Sequence, residues 1–206
     1  DRKVVVLQGR DRLGLLWAIA SFNQLVHQRA GHTVVRAADV RDYPEMPNRG
    51  FIAGNWVDGV GYCLAFKLNK PVFQSALADR SQPDRRKSAG AWRNPLPEQV
   101  RRDLAAYGQR LSPLGITWYA GINPIVGPEK IRSGNEQDFQ AILEKARAVA
   151  EVGGHLCLKY DDHRFPISPD DLQQFGSARE ADVHFLNRLY GELQQRHPHA
   201  RILFCP

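Results

Sequence analysis

Cysteine is scarce in this chain and poorly spaced. Cys63, Cys157 and Cys205 stand far apart, with no C-x-x-C pair among them. An odd, scattered set excludes a disulfide framework and a structural zinc site. Long apolar runs are missing too. No window approaches the ~18 uninterrupted apolar residues of a transmembrane helix, so no membrane span is expected. No signal peptide is expected from the opening residues, because Asp1-Arg2-Lys3 leads straight into a β-branched run. The absent initial methionine and the end at Cys205-Pro206 read as a piece cut from a longer protein, and the sequence assigns no compartment. Aromatic residues are missing from the basic cluster. Arg80, Arg85, Arg86 and Lys87 stand with Asp79 and Asp84 in one stretch of a chain whose net charge is +6. With no ring between the cations and no nucleic-acid motif, a base-stacking platform is unsupported and no nucleic-acid partner is expected. The stretch reads as a solvated loop, the alternative being contact with an anionic partner such as an acidic polysaccharide. A phosphate loop is also missing. Gly9 and Gly14 have its spacing, but Leu15-Leu16 stand where Lys and Ser/Thr belong.

What is present is an alternating pattern. With 206 residues and 43% hydrophobic content, the chain can bury a real core. Residues 3–7 read as a strand, 15–27 as a helix and 33–40 as a second strand. The proline-punctuated stretch Asp42-Tyr43-Pro44-Glu45-Met46-Pro47-Asn48 marks a domain boundary. Two units follow, 1–48 and 49–206. From there strands are expected at 49–56, 70–77, 116–122, around Leu156-Cys157-Leu158, and at 201–205. Asp58 to Gly61 reads as a turn. Pro97 suits the first position of a helix whose Val100, Leu104, Tyr107 and Leu111 recur at helical spacing. Ser133 with Glu136, and Ser177 with Glu180, have capping-box spacing. Phe139, Ile142, Leu143, Ala146 and Val149 form one stripe on the first of those helices; Val183, Leu186, Tyr190 and Leu193 form one on the second. Strands alternating with amphipathic helices predict a parallel sheet with right-handed crossovers. The spacing of the later strands is near that of an eight-fold barrel. The expected fold is α/β, a partial (β/α)8 TIM barrel of about the first five strands, preceded by the end of a small α/β domain.

The chemistry concentrates in His155-Leu156-Cys157-Leu158-Lys159-Tyr160-Asp161-Asp162. A short buried strand climbs to two adjacent carboxylates. In parallel α/β folds that end of a strand faces the ligand. Two close carboxylates split their pKa values, one staying charged while the other holds a proton. General acid catalysis beside a charge-stabilising partner needs such a pair. An Asp-Asp pair also caps turns, and the pair alone does not decide between the two. A metal site built on Asp161, Asp162 and His163 is weak, since no second His-carboxylate pair supports it. His155, His184, His197 and His199 read as ordinary surface or core residues.

Six stretches, taken in order, resemble the catalytic region of family 84 glycoside hydrolases, the β-N-acetylglucosaminidases that include O-GlcNAcase. Arg49-Gly50-Phe51-Ile52-Ala53-Gly54 is similar to the family's R-G-[FV]-[IV]-E-G. Lys67-Leu68-Asn69 resembles its K-[LM]-N, and Trp92-Arg93-Asn94-Pro95-Leu96-Pro97 its W-R-x-P-Y-P. Gly115 to Pro124 resembles the third strand and its turn. Leu156 to Asp162 is similar to F-A-[LV]-[LF]-F-D-D, and Leu203-Phe204-Cys205-Pro206 to the start of [VL]-[FM]-C-P-T-E-Y. Residues 1–48 look like the end of the small domain that precedes the barrel. The resemblance implies removal of terminal N-acetylglucosamine from a glycan or glycoconjugate by substrate-assisted catalysis, with retention. It implies Asp161 and Asp162 as catalytic residues, Gly54 and Asn123 as substrate-binding residues, and no cofactor or metal. Asp161 would hold the acetamido N–H; Asp162 would protonate the leaving oxygen and then deprotonate water. The chain departs from the family at Ala53, where Glu is usual, and at Ala76, where a substrate-binding Lys is usual. A non-catalytic glycan-binding relative is therefore the competing expectation.

Overall fold

The computed structural model describes residues 4–53, 59–74, 76–77, 91–125, 130–160 and 168–206. The first element is helix α1 (Arg12–Gln24), started by Asp11, whose carboxylate accepts from Gly14 N–H at 2.7 Å. Two strands follow, β1 (Val26–Arg29) and β2 (His32–Val35), paired antiparallel. Ala30 and Gly31 join them, both at positive φ, as a two-residue hairpin turn of matching twist requires. The expected helix to residue 27 therefore ends early, and β1 takes its last turn. The strand expected at 33–40 begins at His32 and stops at Val35. Residues 4–7 form no strand among the described residues: Val4, Val5 and Val6 are largely exposed. β-branched residues favour a strand only when a partner edge is available.

The main sheet has five strands: β3 (Ile52–Ala53), β4 (Val72–Phe73), β5 (Tyr119–Ile122), β6 (His155–Lys159) and β7 (Ile202–Cys205). They lie in sequence order and all pair parallel. A doubly wound sheet would reverse its strand order; this one does not. Between the strands run α2 (Gly59–Ala65), α3 (Glu98–Leu111), α4 (Glu136–Glu151), α5 (Pro169–Phe175) and α6 (Ala178–Arg196). One core joins Phe73, Ala120, Ile122, Leu156 and Leu158 of the strands to residues of α3, α4 and α6. Val72, Tyr119 and Cys157 form a separate cluster on the other face. Helices thus cover one face of a sequential parallel sheet, the arrangement of a partial (β/α)8 barrel.

The α3 and α4 stripes pack as their spacing predicts, with Leu104, Tyr107, Leu111, Phe139, Ile142 and Val149 all buried. Phe73 stacks on Tyr107 at 4.7 Å, and Trp118 closes the group. Four expectations need correction. α2 occupies the segment read as a turn, because Val60 and Cys63 lie one helical turn apart and Cys63 is completely buried. Pro97 is the residue before α3 rather than its first. Asn135, not Ser133, caps α4 by accepting from Asp138 N–H at 3.0 Å. On α6 the buried stripe is Ala181, Phe185, Leu189 and Leu193, while Val183 and Tyr190 are exposed. β4, β5 and β7 are also shorter than read, β4 keeping two of the eight residues assigned to it, whereas β6 runs one residue further at each end than Leu156 to Leu158. Ser177 caps α6 as expected, and of the cysteines Cys63 and Cys157 are buried while Cys205 is half-buried. No described helix is long and apolar enough to cross a membrane.

Motif residues brace the start of the sheet. The Arg49 N–H donates to Asn69 Oδ1 and its guanidinium to the Lys67 carbonyl, both at 2.8 Å. Lys67 is held at positive φ and pairs with Asp42, which pulls the Asp42 carboxyl below its usual range. Further along, α3 packs its Gly108 against the loop after α4. A Cβ there would fall on the Val152 carbonyl oxygen. Gly108→Ala should therefore lower the melting temperature, although Ala gains about 1 kcal/mol in helix propensity over Gly. A thermal melt that rises would show this contact is loose.

Candidate functional site

In a parallel sheet all carboxyl ends lie on one edge. Ala53, Phe73, Ile122, Lys159 and Cys205 end their strands there. Asn123 follows β5 directly. It is half-buried, and its Oδ1 accepts from Ile125 N–H at 3.3 Å. The other three expected site residues, Gly54, Asp161 and Asp162, lie outside the described residues, as does His163. Gly54 follows the last residue of β3, and Asp161 follows Tyr160, in a chain whose preceding strands end on this edge.

The approach to the carboxylate pair is tightly held. β6 is hydrogen-bonded to β5 on one side and to β7 on the other. The β7 pairing runs on to Tyr160, whose N–H donates to the Cys205 carbonyl at 2.8 Å. Tyr160 turns to the helix side, edge-on to Phe204 with ring centroids 5.1 Å apart. Its hydroxyl is buried and has no hydrogen-bond partner among the described residues. Burial first, then Asp182, Asp171 and Asp138, push the phenol well above its usual range. Alternation then puts Lys159 on the inner face with Cys157 and Tyr119, where it is 2% exposed.

Two buried carboxylates lace the carboxyl-edge loops together. Asp138, 1% exposed, accepts from Arg93 Nε at 2.6 Å and Nη2 at 2.8 Å, and from Arg132 N–H at 2.8 Å. This bidentate pair joins the segment before α3 to the first turn of α4. Asp171 accepts from Ser133 N–H at 2.9 Å and Gly134 N–H at 2.8 Å. It joins the loop before α4 to the first turn of α5, where Ser168 is the cap. Sequence reading missed Lys159, Asp138 and Asp171. The last was open to the Ser168-Pro169-Asp170-Asp171 helix start. Among the described residues no cluster of His, Cys, Asp and Glu could hold a metal ion.

Two solved structures share this fold. One is a mutant of the Thermobaculum terrenum O-GlcNAc hydrolase, with a TM-score of 0.63 and 20% identity over 78% of this chain and 35% of that one. The other is CpGH84B, with a TM-score of 0.63 and 18% identity over 95% of this chain and 33% of that one. This chain thus spans about a third of the length of either. No protein-family model matches it.

Two measurements test the loop ties. Asp171→Ala leaves two buried N–H groups without an acceptor, and about 1–3 kcal/mol is lost for each. A denaturant-unfolding loss below ~1 kcal/mol would mean that water replaces the carboxylate. Asp182 behaves differently. Burial, and then the nearby Asp171, raise its carboxyl to about 6. A folded pKa above the unfolded value near 3.9 gives stability that is full below about pH 4 and lost as pH rises through 6. Asp182→Asn should therefore melt about 2–4 °C above the parent at pH 7.5, and level with it at pH 4.

Proposed function

We propose that this chain carries the first part of the catalytic barrel of a retaining glycoside hydrolase that removes terminal N-acetylglucosamine. The reading rests on one observation. The strand leading into Asp161 and Asp162 runs parallel within the sheet, and its carboxyl end shares an edge with those of the strands leading to Gly54 and Asn123. Residues 49–206 would form the barrel part and residues 1–48 the end of the preceding domain. The order of the six resembling stretches and the fold shared with the O-GlcNAc hydrolase support it.

The reaction would run in two displacements. The substrate's acetamido oxygen bonds to the anomeric carbon as the glycosidic bond breaks, while Asp162 gives its proton to the departing oxygen. Asp161, ionised, accepts the acetamido N–H and offsets the positive charge of the oxazolinium. Asp162 then takes a proton from the water that opens the ring. Gly54 would let the sugar hydroxyls approach the backbone closely. One observation favours a second reading, a glycan-binding relative without turnover. Ala76, where the resemblance places a substrate-binding lysine, is 5% exposed and packs in the helix-side core, offering no donor to a ligand.

Aryl N-acetyl-β-glucosaminides of graded leaving-group pKa separate these readings. General acid catalysis is worth about 10²–10⁴-fold, so Asp162→Asn should lose most on poor leaving groups and least on activated ones. Asp161→Asn should lose activity with every leaving group. A wild-type protein that binds N-acetylglucosamine without turnover would support the second reading. Near-full activity in both variants would remove the pair from the chemistry.

A further inference from the structure

The amino end of the sheet, opposite the edge of the candidate site, carries a second group of polar side chains. Val72, Tyr119 and His155 stand in one register row. Arg201 continues it, since Leu156 pairs with Ile202 and its N–H donates to the Arg201 carbonyl. Val72 and Tyr119 belong to the inner-face cluster, so the row lies away from the helices. Lys70, two residues before Val72, falls on the same face by alternation. Arg201 acts on Tyr119 and Lys70 on His155, each past an intervening strand and so across about 10 Å of the shared face. The imidazole is oriented by the backbone: His155 Nδ1 accepts from Arg201 N–H at 3.2 Å, which leaves the ring proton on Nε2. Burial, then Arg201, His199 and Lys70, bring His155 down to about 4, so near pH 7 the ring is neutral and Nε2 is a donor. Burial pushes the Tyr119 phenol up, so it keeps its proton, and the two rings lie 5.3 Å apart.

All four groups can donate a hydrogen bond, and two of them carry positive charge. Among the described residues no carboxylate lies within ion-pair distance of Lys70 or Arg201. Like charges gathered on one face of a sheet repel one another, and a bound anion turns that repulsion into attraction. We propose that Lys70, Tyr119, His155 and Arg201 form a site for a phosphate-type oxyanion, free or as a phosphomonoester, at the amino end of the sheet. Arg201 supplies a planar fork and Lys70 a mobile point charge, both suited to phosphate oxygens. The Tyr119 hydroxyl and the His155 Nε2–H give the site direction. Four donors match the several acceptor oxygens of a phosphate better than the two of a carboxylate. The site lies about 13 Å along β6 from the carboxyl edge and stands whether or not the chain is a hydrolase.

The test is calorimetric titration of the complete protein with inorganic phosphate and, separately, with methyl phosphate, at neutral pH and constant ionic strength. At least one should bind saturably; binding of the ester alone identifies a phosphomonoester as the ligand, and binding of phosphate alone the free ion. Lys70→Gln and Arg201→Gln should each weaken binding about tenfold, and Tyr119→Phe about threefold. Arg110→Gln removes an exposed positive charge on α3, away from this face, and should leave the affinity unchanged. Histidine-selective ¹⁵N NMR needs no variant, so it holds even where a substitution prevents folding: the ligand should move the His155 Nε2–H resonance as it saturates. Three results would overturn the site. Neither ligand saturates below ~10 mM, a dissociation constant too weak for a built site. Arg110→Gln costs as much affinity as Arg201→Gln, which is the mark of diffuse attraction to a basic protein. Or the His155 Nε2–H resonance stays in place while the ligand binds.

Discussion

The backbone pairing of β6 with a parallel neighbour on each edge is the constraint on which the rest depends. A strand bonded on both sides cannot rotate or slip without breaking a full ladder, and a slip of one residue would turn every side chain over. Leu156, Leu158 and Tyr160 are committed to the helix layer, and His155, Cys157 and Lys159 to the inner face. All five residues of β6 are buried, so both choices are enforced by packing. The Tyr160 N–H bond to Cys205 carries this order to the last residue before the carboxylate pair.

The edge loops are organised by charge rather than by apolar contact. Loops carry backbone N–H groups that no ladder satisfies, and burial without a partner is costly. Asp138 and Asp171 meet that need for neighbouring loops, one through Arg93 and Arg132, the other through two consecutive N–H groups. Several residues that carry the family resemblance have this kind of duty. Arg49, Lys67 and Asn69 bind one another, and Arg93 binds Asp138. Their recurrence in the motif pattern has a structural cause, and none of them is needed as a sugar contact to account for it.

The helices were legible because their signals are local. A stripe such as Phe139, Ile142, Ala146, Val149 needs only a 3.6-residue period, and the Ser177 cap only its own hydroxyl. Competition between neighbouring signals explains the errors. Ser133 and Asn135 both suit a cap, and the chain uses the one nearer the stripe. α6 carries two apolar stripes, and which is buried depends on the position of α4, a long-range matter. Strand lengths and the β1–β2 hairpin depend on partners that sequence does not display. At the site, the placement of Asn123 at the carboxyl edge followed from the strand pattern. Lys159 did not, because a lysine after Leu158 reads as a strand leaving the core, whereas pairing with Cys205 keeps it inside.

That difference bears on how far the family pattern can be carried along the chain. At position 76 the pattern expects a cation, and the structure puts an alanine there, in the helix-side core beside Leu77. A lysine ammonium at 76 would have to be desolvated among apolar side chains, an unfavourable exchange without a partner. Ala76 is thus a core residue here, and the replacement is more than a missing side chain. Among the described strand residues of the inner face, the positive charge stands two strands away, on Lys159 at the end of β6.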